Sequence, residues 1–188
     1  MADTREITPG GIAALARRLD RSIVLVGLMG AGKSTVGQRL AALLGTSFID
    51  SDAAIEEAAQ RSVSEIFEEF GEPQFRDGER RVIARLIAEG HGVIATGGGA
   101  FANSETRALI LDRAIAVWLD CDIETLVART RRRDTRPLLR NGDPAEILTR
   151  LHAERAPAFA KAPIRVETGD APHHRTALRI VEAIERWL

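Results

Sequence analysis

The 188-residue chain contains one cysteine, Cys121, and lysine at only two positions, Lys33 and Lys161. A single thiol excludes an internal disulfide, and with it the stapled scaffold of a small secreted protein. No apolar run approaches the roughly 20 residues needed to span a bilayer. The opening Met1-Ala2-Asp3-Thr4-Arg5-Glu6 lacks an apolar signal core. A cytoplasmic protein with no membrane partner is therefore expected, and a monomer is expected with it. An excess of one charge is missing too: 26 basic and 27 acidic residues leave a net charge of −1. That balance does not favour nucleic acid as a partner. The histidines His91, His152, His173 and His174 have no metal or triad spacing and are expected at the surface. Repeats and low-complexity tracts do not occur. What remains is 45% hydrophobic and 28% charged, ordinary for a globular chain of one domain.

Against these absences stands Gly27-Leu28-Met29-Gly30-Ala31-Gly32-Lys33-Ser34-Thr35, which satisfies G-x-x-x-x-G-K-[ST]. The β-branched Ile23-Val24-Leu25-Val26 precedes it as a buried strand. Val36, Leu40, Leu43 and Leu44 follow at helical spacing until Gly45 supplies a stop. Strand, glycine loop and helix make a phosphate cradle, in which backbone N–H groups and the helix dipole converge on phosphate oxygens. Lys33 is expected to reach the β- and γ-phosphates, and Ser34 to ligate Mg²⁺. In a chain that otherwise uses arginine, lysine here supplies a compact point charge on a flexible stem.

Strands are expected at 47–52, 93–96, 114–119 and 164–167, alternating with helices, so the fold class is α/β with a parallel sheet covered on both faces. Residues 1–21 read as an N-terminal extension with a short amphipathic helix around Ile12, Leu15, Ala16 and Leu19. Ser62-Val63-Ser64-Glu65 is a capping box opening a short helix that Gly71 stops; a longer helix follows from Pro73. The arginine-dense, apolar-poor stretch 129–143 reads as a mobile loop.

In open α/β sheets, ligands sit outside the carboxyl ends of the strands. Three such ends carry chemistry: the phosphate loop, Asp50/Asp52 and Gly97-Gly98-Gly99. One aspartate can serve Mg²⁺ while the other faces a substrate hydroxyl; equally, Asp52 can simply cap the next helix, and spacing leaves both readings open. Arg76 and Glu79 are helix neighbours, as a supported clamp or as a surface ion pair. The arginines Arg131, Arg132, Arg133 and Arg136 lack interleaved aromatics, which disfavours a nucleic-acid patch. A lid that closes over transferring phosphate and excludes water fits them better. Ala116-Val117-Trp118-Leu119-Asp120 imitates a Walker B strand but reads as an ordinary strand end, and Cys121 as a packed thiol.

These motifs, followed by Arg136-Pro137-Leu138-Leu139 and Arg155-Ala156-Pro157, occur in an order that resembles the shikimate kinase family across about residues 22–188. The resemblance implies a single P-loop kinase domain with a five-stranded parallel sheet in the order 2-3-1-4-5 and a lid at about 129–143. It implies ATP-dependent phosphorylation of the shikimate 3-hydroxyl, in aromatic amino acid biosynthesis, with Mg²⁺. It places the nucleotide on Gly30, Ala31, Gly32, Lys33, Ser34 and Thr35, with Arg129 stacking on adenine and Arg136 reaching the phosphates. Asp52 would bind ring hydroxyls and take the 3-hydroxyl proton, Arg76 and Arg155 would clamp the carboxylate, and Gly98 and Gly99, beside Gly97, would contact substrate by backbone. Asp50 would act on Mg²⁺ with Ser34, and Lys33, Asp52 and Arg136 would form the catalytic set. The alternatives are a gluconate or other small-metabolite kinase on the same core, or a nucleotide-binding regulator without turnover.

Overall fold

In the computed structural model, residues 8–90, 92–130, 142–169 and 171–188 are described. The hydrophobic segments found above become strands β1 (Ile23–Val26), β2 (Phe48–Asp50), β3 (Val93–Ala95), β4 (Ile115–Cys121) and β5 (Ile164–Thr168). They form one sheet in the order β2-β3-β1-β4-β5. Every pairing is parallel: Ile23 lies opposite both Val93 and Ile115, and Phe48 opposite Val93. β1, at the centre, is buried at all four residues, as a strand covered on both faces must be. β5, at the edge, alternates buried and exposed. The parallel register sets the carboxyl ends of β1, β2 and β3 side by side, which brings the three loaded strand ends together.

The helices are α1 (Pro9–Arg18), α2 (Lys33–Leu44), α3 (Ser51–Ala59), α4 (Val63–Ala88), α5 (Ser104–Arg113), α6 (Ile123–Thr130), α7 (Pro144–Phe159) and α8 (His173–Trp187), with a 3-10 turn at Ala100–Ala102. Ile12 and Leu15 of α1 join the main core. The capping box at Ser62 forms with both reciprocal bonds, and Gly71 breaks the helix as expected (φ 77°, ψ 173°), but no loop intervenes. The chain turns once at Gly71 and resumes helix, so α4 is two segments joined by a kink, the conformation a glycine supplies. Beneath that kink, Ile55, Ile66 and Phe75 form a second, small apolar cluster, which the partly buried Val82 joins to the core built on the sheet.

One expectation about the second strand needs correction. β2 ends at Asp50, and Asp50 rather than Asp52 caps α3, its Oδ1 accepting the Asp52 N–H at 3.0 Å. Asp52 therefore lies in the first helical turn instead of continuing the strand alternation. The histidines also differ from expectation: His174 is exposed, but His152 and His173 are partly buried, while His91 lies outside the described residues.

Candidate active site

On the donor side, the turn after β1 is shaped by close backbone approach. Gly27 has φ 141°, and a Cβ there would lie 2.6 Å from the Leu119 carbonyl oxygen of β4. Only glycine lets the loop leave β1 this close to β4. No side chain caps the amino end of α2, so its first N–H groups and dipole are available to an anion. Lys33 opens that helix and is buried; its Nζ donates to the carbonyls of Gly27 and Leu28, both at 2.8 Å. The loop is thus wrapped around its own ammonium. Ser34 donates through Oγ to Asp50 Oδ2 at 2.6 Å, which ties α2 to the cap of α3 and sets two hard oxygen atoms side by side. Arg129, at the end of α6, reaches across the loop: Nη1 donates to the Gly30 carbonyl at 3.4 Å and Nη2 donates to the Gly169 carbonyl beyond β5.

The acceptor side is built on charge. Asp52 is partly buried, and burial first, then the neighbouring Asp50, raises its pKa above the ordinary 3.8; the Lys33 and Arg76 cations pull the other way. Arg76 projects from the second segment of α4. Its Nη1 donates to Glu79 Oε2 at 2.6 Å, and its Nε and Nη2 both lie 3.3 Å from Glu72 Oε1. The guanidinium also lies 5.1 Å from the Phe75 ring centroid and 5.8 Å from that of Phe67. Glu79 is only 1% exposed, and burial raises its carboxyl pKa although Arg76 lowers it. Its Oε1 has no hydrogen-bond partner among the described residues.

The strand-end glycines bind this cluster together. A Cβ on Gly97 would lie 2.8 Å from Asp52 Oδ1 and 3.2 Å from Glu79 Oε1, and one on Gly99 would lie 2.9 Å from Arg76 Cζ. Arg155, on α7, donates through Nη1 to the Gly98 carbonyl at 2.9 Å. Burial, and next the adjacent Arg76 cation, lowers its pKa. Two guanidinium groups thus converge across a glycine backbone with a carboxylate nearby. An anion between the two arginines would relieve their repulsion, and only a flat backbone leaves room for it.

Of the residues singled out in the sequence, Gly30, Gly32, Lys33, Ser34, Asp50, Asp52, Arg76, Gly97, Gly98, Gly99, Arg129 and Arg155 lie in or around this crevice through the contacts above. Ala31 and Thr35 belong to the same loop and helix. Arg136 and most of the expected lid fall on 131–141, outside the described residues. The Walker-like Asp120 points elsewhere, holding Arg165 at 2.6 Å and lying 3.6 Å from His152. The α6 turn is capped by Asp122, which accepts the Thr125 N–H at 2.7 Å. Sequence reasoning missed Glu72, Phe67 and His173. Glu72 precedes Arg76 by one helical turn, a spacing that signals a pair, but it follows the expected helix stop at Gly71. His173 comes within 3.6 Å of where a Gly32 Cβ would be, a proximity created by folding with no local signal.

Comparison with known proteins agrees with this geometry. A sequence model of the family described as shikimate kinase matches residues 29–185. A shikimate kinase of Novosphingobium aromaticivorans is 54% identical over 190 residues, covering 99% of this chain and 98% of that protein. One of Caulobacter vibrioides is 57% identical over 166 residues, covering 88% and 83%. Among solved structures, shikimate kinase from Acinetobacter baumannii in complex with shikimate superposes with a TM-score of 0.86 at 37% identity, covering 91% of this chain and 97% of that one. A gluconokinase from Sinorhizobium meliloti shares only the fold, at 19% identity and a TM-score of 0.57. With the family model matching residues 29–185 and sequence likeness running the length of the chain, the chain belongs to the shikimate kinase family.

Proposed function

We infer that this chain transfers the γ-phosphoryl group of ATP to the 3-hydroxyl of shikimate, giving shikimate 3-phosphate and ADP. The observation that carries this is the convergence of Arg76 and Arg155 across Gly98 and Gly99, with Asp52 between them and the phosphate loop. Shikimate has a carboxylate at one end and vicinal hydroxyls at the other. The paired guanidinium groups suit the first, a task for planar forks rather than point charges. Asp52 suits the second: it accepts the hydroxyl proton as the oxygen forms its bond to the γ-phosphorus, and the bond from that phosphorus to the β,γ-bridging oxygen breaks. Lys33 and the N–H groups of the loop take up charge on the phosphates, so positioning and electrostatics carry most of the rate.

Ser34 and Asp50 are assigned to Mg²⁺, directly or through water. A hydroxyl and a carboxylate oxygen 2.6 Å apart are the hard donors this ion takes, alongside waters and phosphate oxygens. When bound, the ion neutralises charge on the β- and γ-phosphates. Arg129 is assigned to the adenine, and Arg136 to the phosphates from its segment beyond Thr130. The catalytic unit is taken as residues 22–188, with 1–21 an extension bearing none of these groups. The chain is taken to act as a monomer. Among the described residues no helix is long and apolar enough to cross a membrane, and a supply of ATP supports a cytoplasmic setting.

The test is ADP release with Mg²⁺ and ATP, run in parallel with shikimate, gluconate and nucleoside monophosphates. Turnover is expected with shikimate alone; its absence there, or equal turnover with gluconate, overturns the assignment. Arg76→Ala should raise the shikimate KM by 10-fold or more, on the order of the loss of a charge-assisted pair, with little effect on that of ATP. Equal changes in both constants would remove Arg76 from the carboxylate site.

A further inference from the structure

The guanidinium of Arg76 is engaged on two edges by two carboxylates of contrasting character. Glu79 holds Nη1 from within the core and is 1% exposed. Glu72 spans Nε and Nη2, both at 3.3 Å, and its side chain is 65% exposed. A carboxylate ligand bound by two parallel N–H···O bonds needs two adjacent nitrogens. Glu72 covers one of the two edges that offer a pair, Nε with Nη2, and Glu79 already holds Nη1 of the other. Glu79 does not yield: leaving a buried carboxylate without its cation is strongly unfavourable, and its other oxygen already lacks a partner. Glu72 can yield at little cost. An exposed ion pair one helical turn apart is weak, and Glu72 stands just after the Gly71 kink. At the amino end of a helical segment a released carboxylate remains stabilised by the dipole.

We propose that Glu72 is an internal competitor for the substrate carboxylate: it occupies the binding edge of Arg76 in the empty enzyme and is displaced when shikimate enters. This rests on Arg76 being the carboxylate clamp. The contact sets a threshold on affinity, since a ligand must exchange with Glu72 and only a well-aligned carboxylate does so. Glu72 therefore acts on specificity through Arg76 and takes no part in the chemistry.

Steady-state constants for the full chain with shikimate and ATP test this in a cycle of Glu72→Gln, Arg76→Met and the double variant. Glu72→Gln is expected to lower the shikimate KM roughly two- to fivefold, the range of an exposed ion pair, with the ATP KM and kcat unchanged. In the Arg76→Met background the same substitution should have no effect. An unchanged or raised shikimate KM in Glu72→Gln overturns the proposal, as does a fall that persists without Arg76. If Arg76→Met itself leaves the shikimate KM unaltered, the clamp assignment fails and the competitor falls with it. A raised KM in Arg76→Met beside no gain in Glu72→Gln rejects the competitor alone.

Discussion

Lys33→Ala should reduce phosphoryl transfer by roughly 10³-fold or more at saturating shikimate, the scale of removing a cation aimed at developing charge. Within the loop the ammonium donates to the carbonyls of Gly27 and Leu28, both at 2.8 Å. On the phosphate role proposed for Lys33, nucleotide binding would exchange those neutral acceptors for phosphate oxygens, and charge-assisted bonds to an anion are the stronger ones. The substitution therefore removes two things: transition-state stabilisation, and a donor for two loop carbonyls. The second costs about 1–3 kcal/mol if the carbonyls stay buried, well within what a domain of this size tolerates, and the loss of turnover is expected in protein that still unfolds cooperatively. Turnover within tenfold of the parent enzyme would reject the phosphate role of Lys33.

Asp52→Asn should lower kcat by about 10²- to 10⁴-fold, the range associated with a positioned base. The substitution preserves shape and removes the proposed proton acceptor. Because burial and Asp50 raise the Asp52 pKa above 3.8, the carboxylate becomes available only at higher pH than an exposed aspartate. The acid limb of kcat/KM should lie above 3.8 and disappear in the asparagine variant. The linked effect on stability has a definite sign. Between 3.8 and the raised value, the folded chain binds more protons than the unfolded chain, so this group's contribution to stability falls as pH rises through that window. Asp52→Asn should thus be more resistant to urea than the parent at pH 7, with the gain shrinking toward pH 4. A variant less stable at pH 7, or one that keeps the acid limb, would contradict this account.

The donor half of the site was legible because its chemistry is local. Nine consecutive residues carry the strand exit, the glycine turn and the helix start, and periodicity on both sides confirms them. The acceptor half is assembled from Asp52, Arg76, Gly97–Gly99 and Arg155, which the sheet brings together from distant parts of the chain. Spacing alone left Asp52 and Arg76 open to bland readings, and the ordered resemblance supplied what spacing did not, including the strand order. Asp50 took the cap that spacing also offered to Asp52, since the strand stops two residues before the expected 52. Glu72 was hidden because a helix stop at Gly71 implied a break in helical neighbours, whereas the kink places Glu72 one turn before Arg76.

The small cluster of Ile55, Ile66 and Phe75 beneath the kink has its own buried residues and meets the core on the sheet through the partly buried Val82. The two halves of the site therefore answer to different packing constraints. Substitutions that reshape the ground around Arg76 disturb three buried side chains, while β1, the loop and α2 keep their own support. The packing that supports Arg76 can thus change with little effect on the packing that supports the ATP loop.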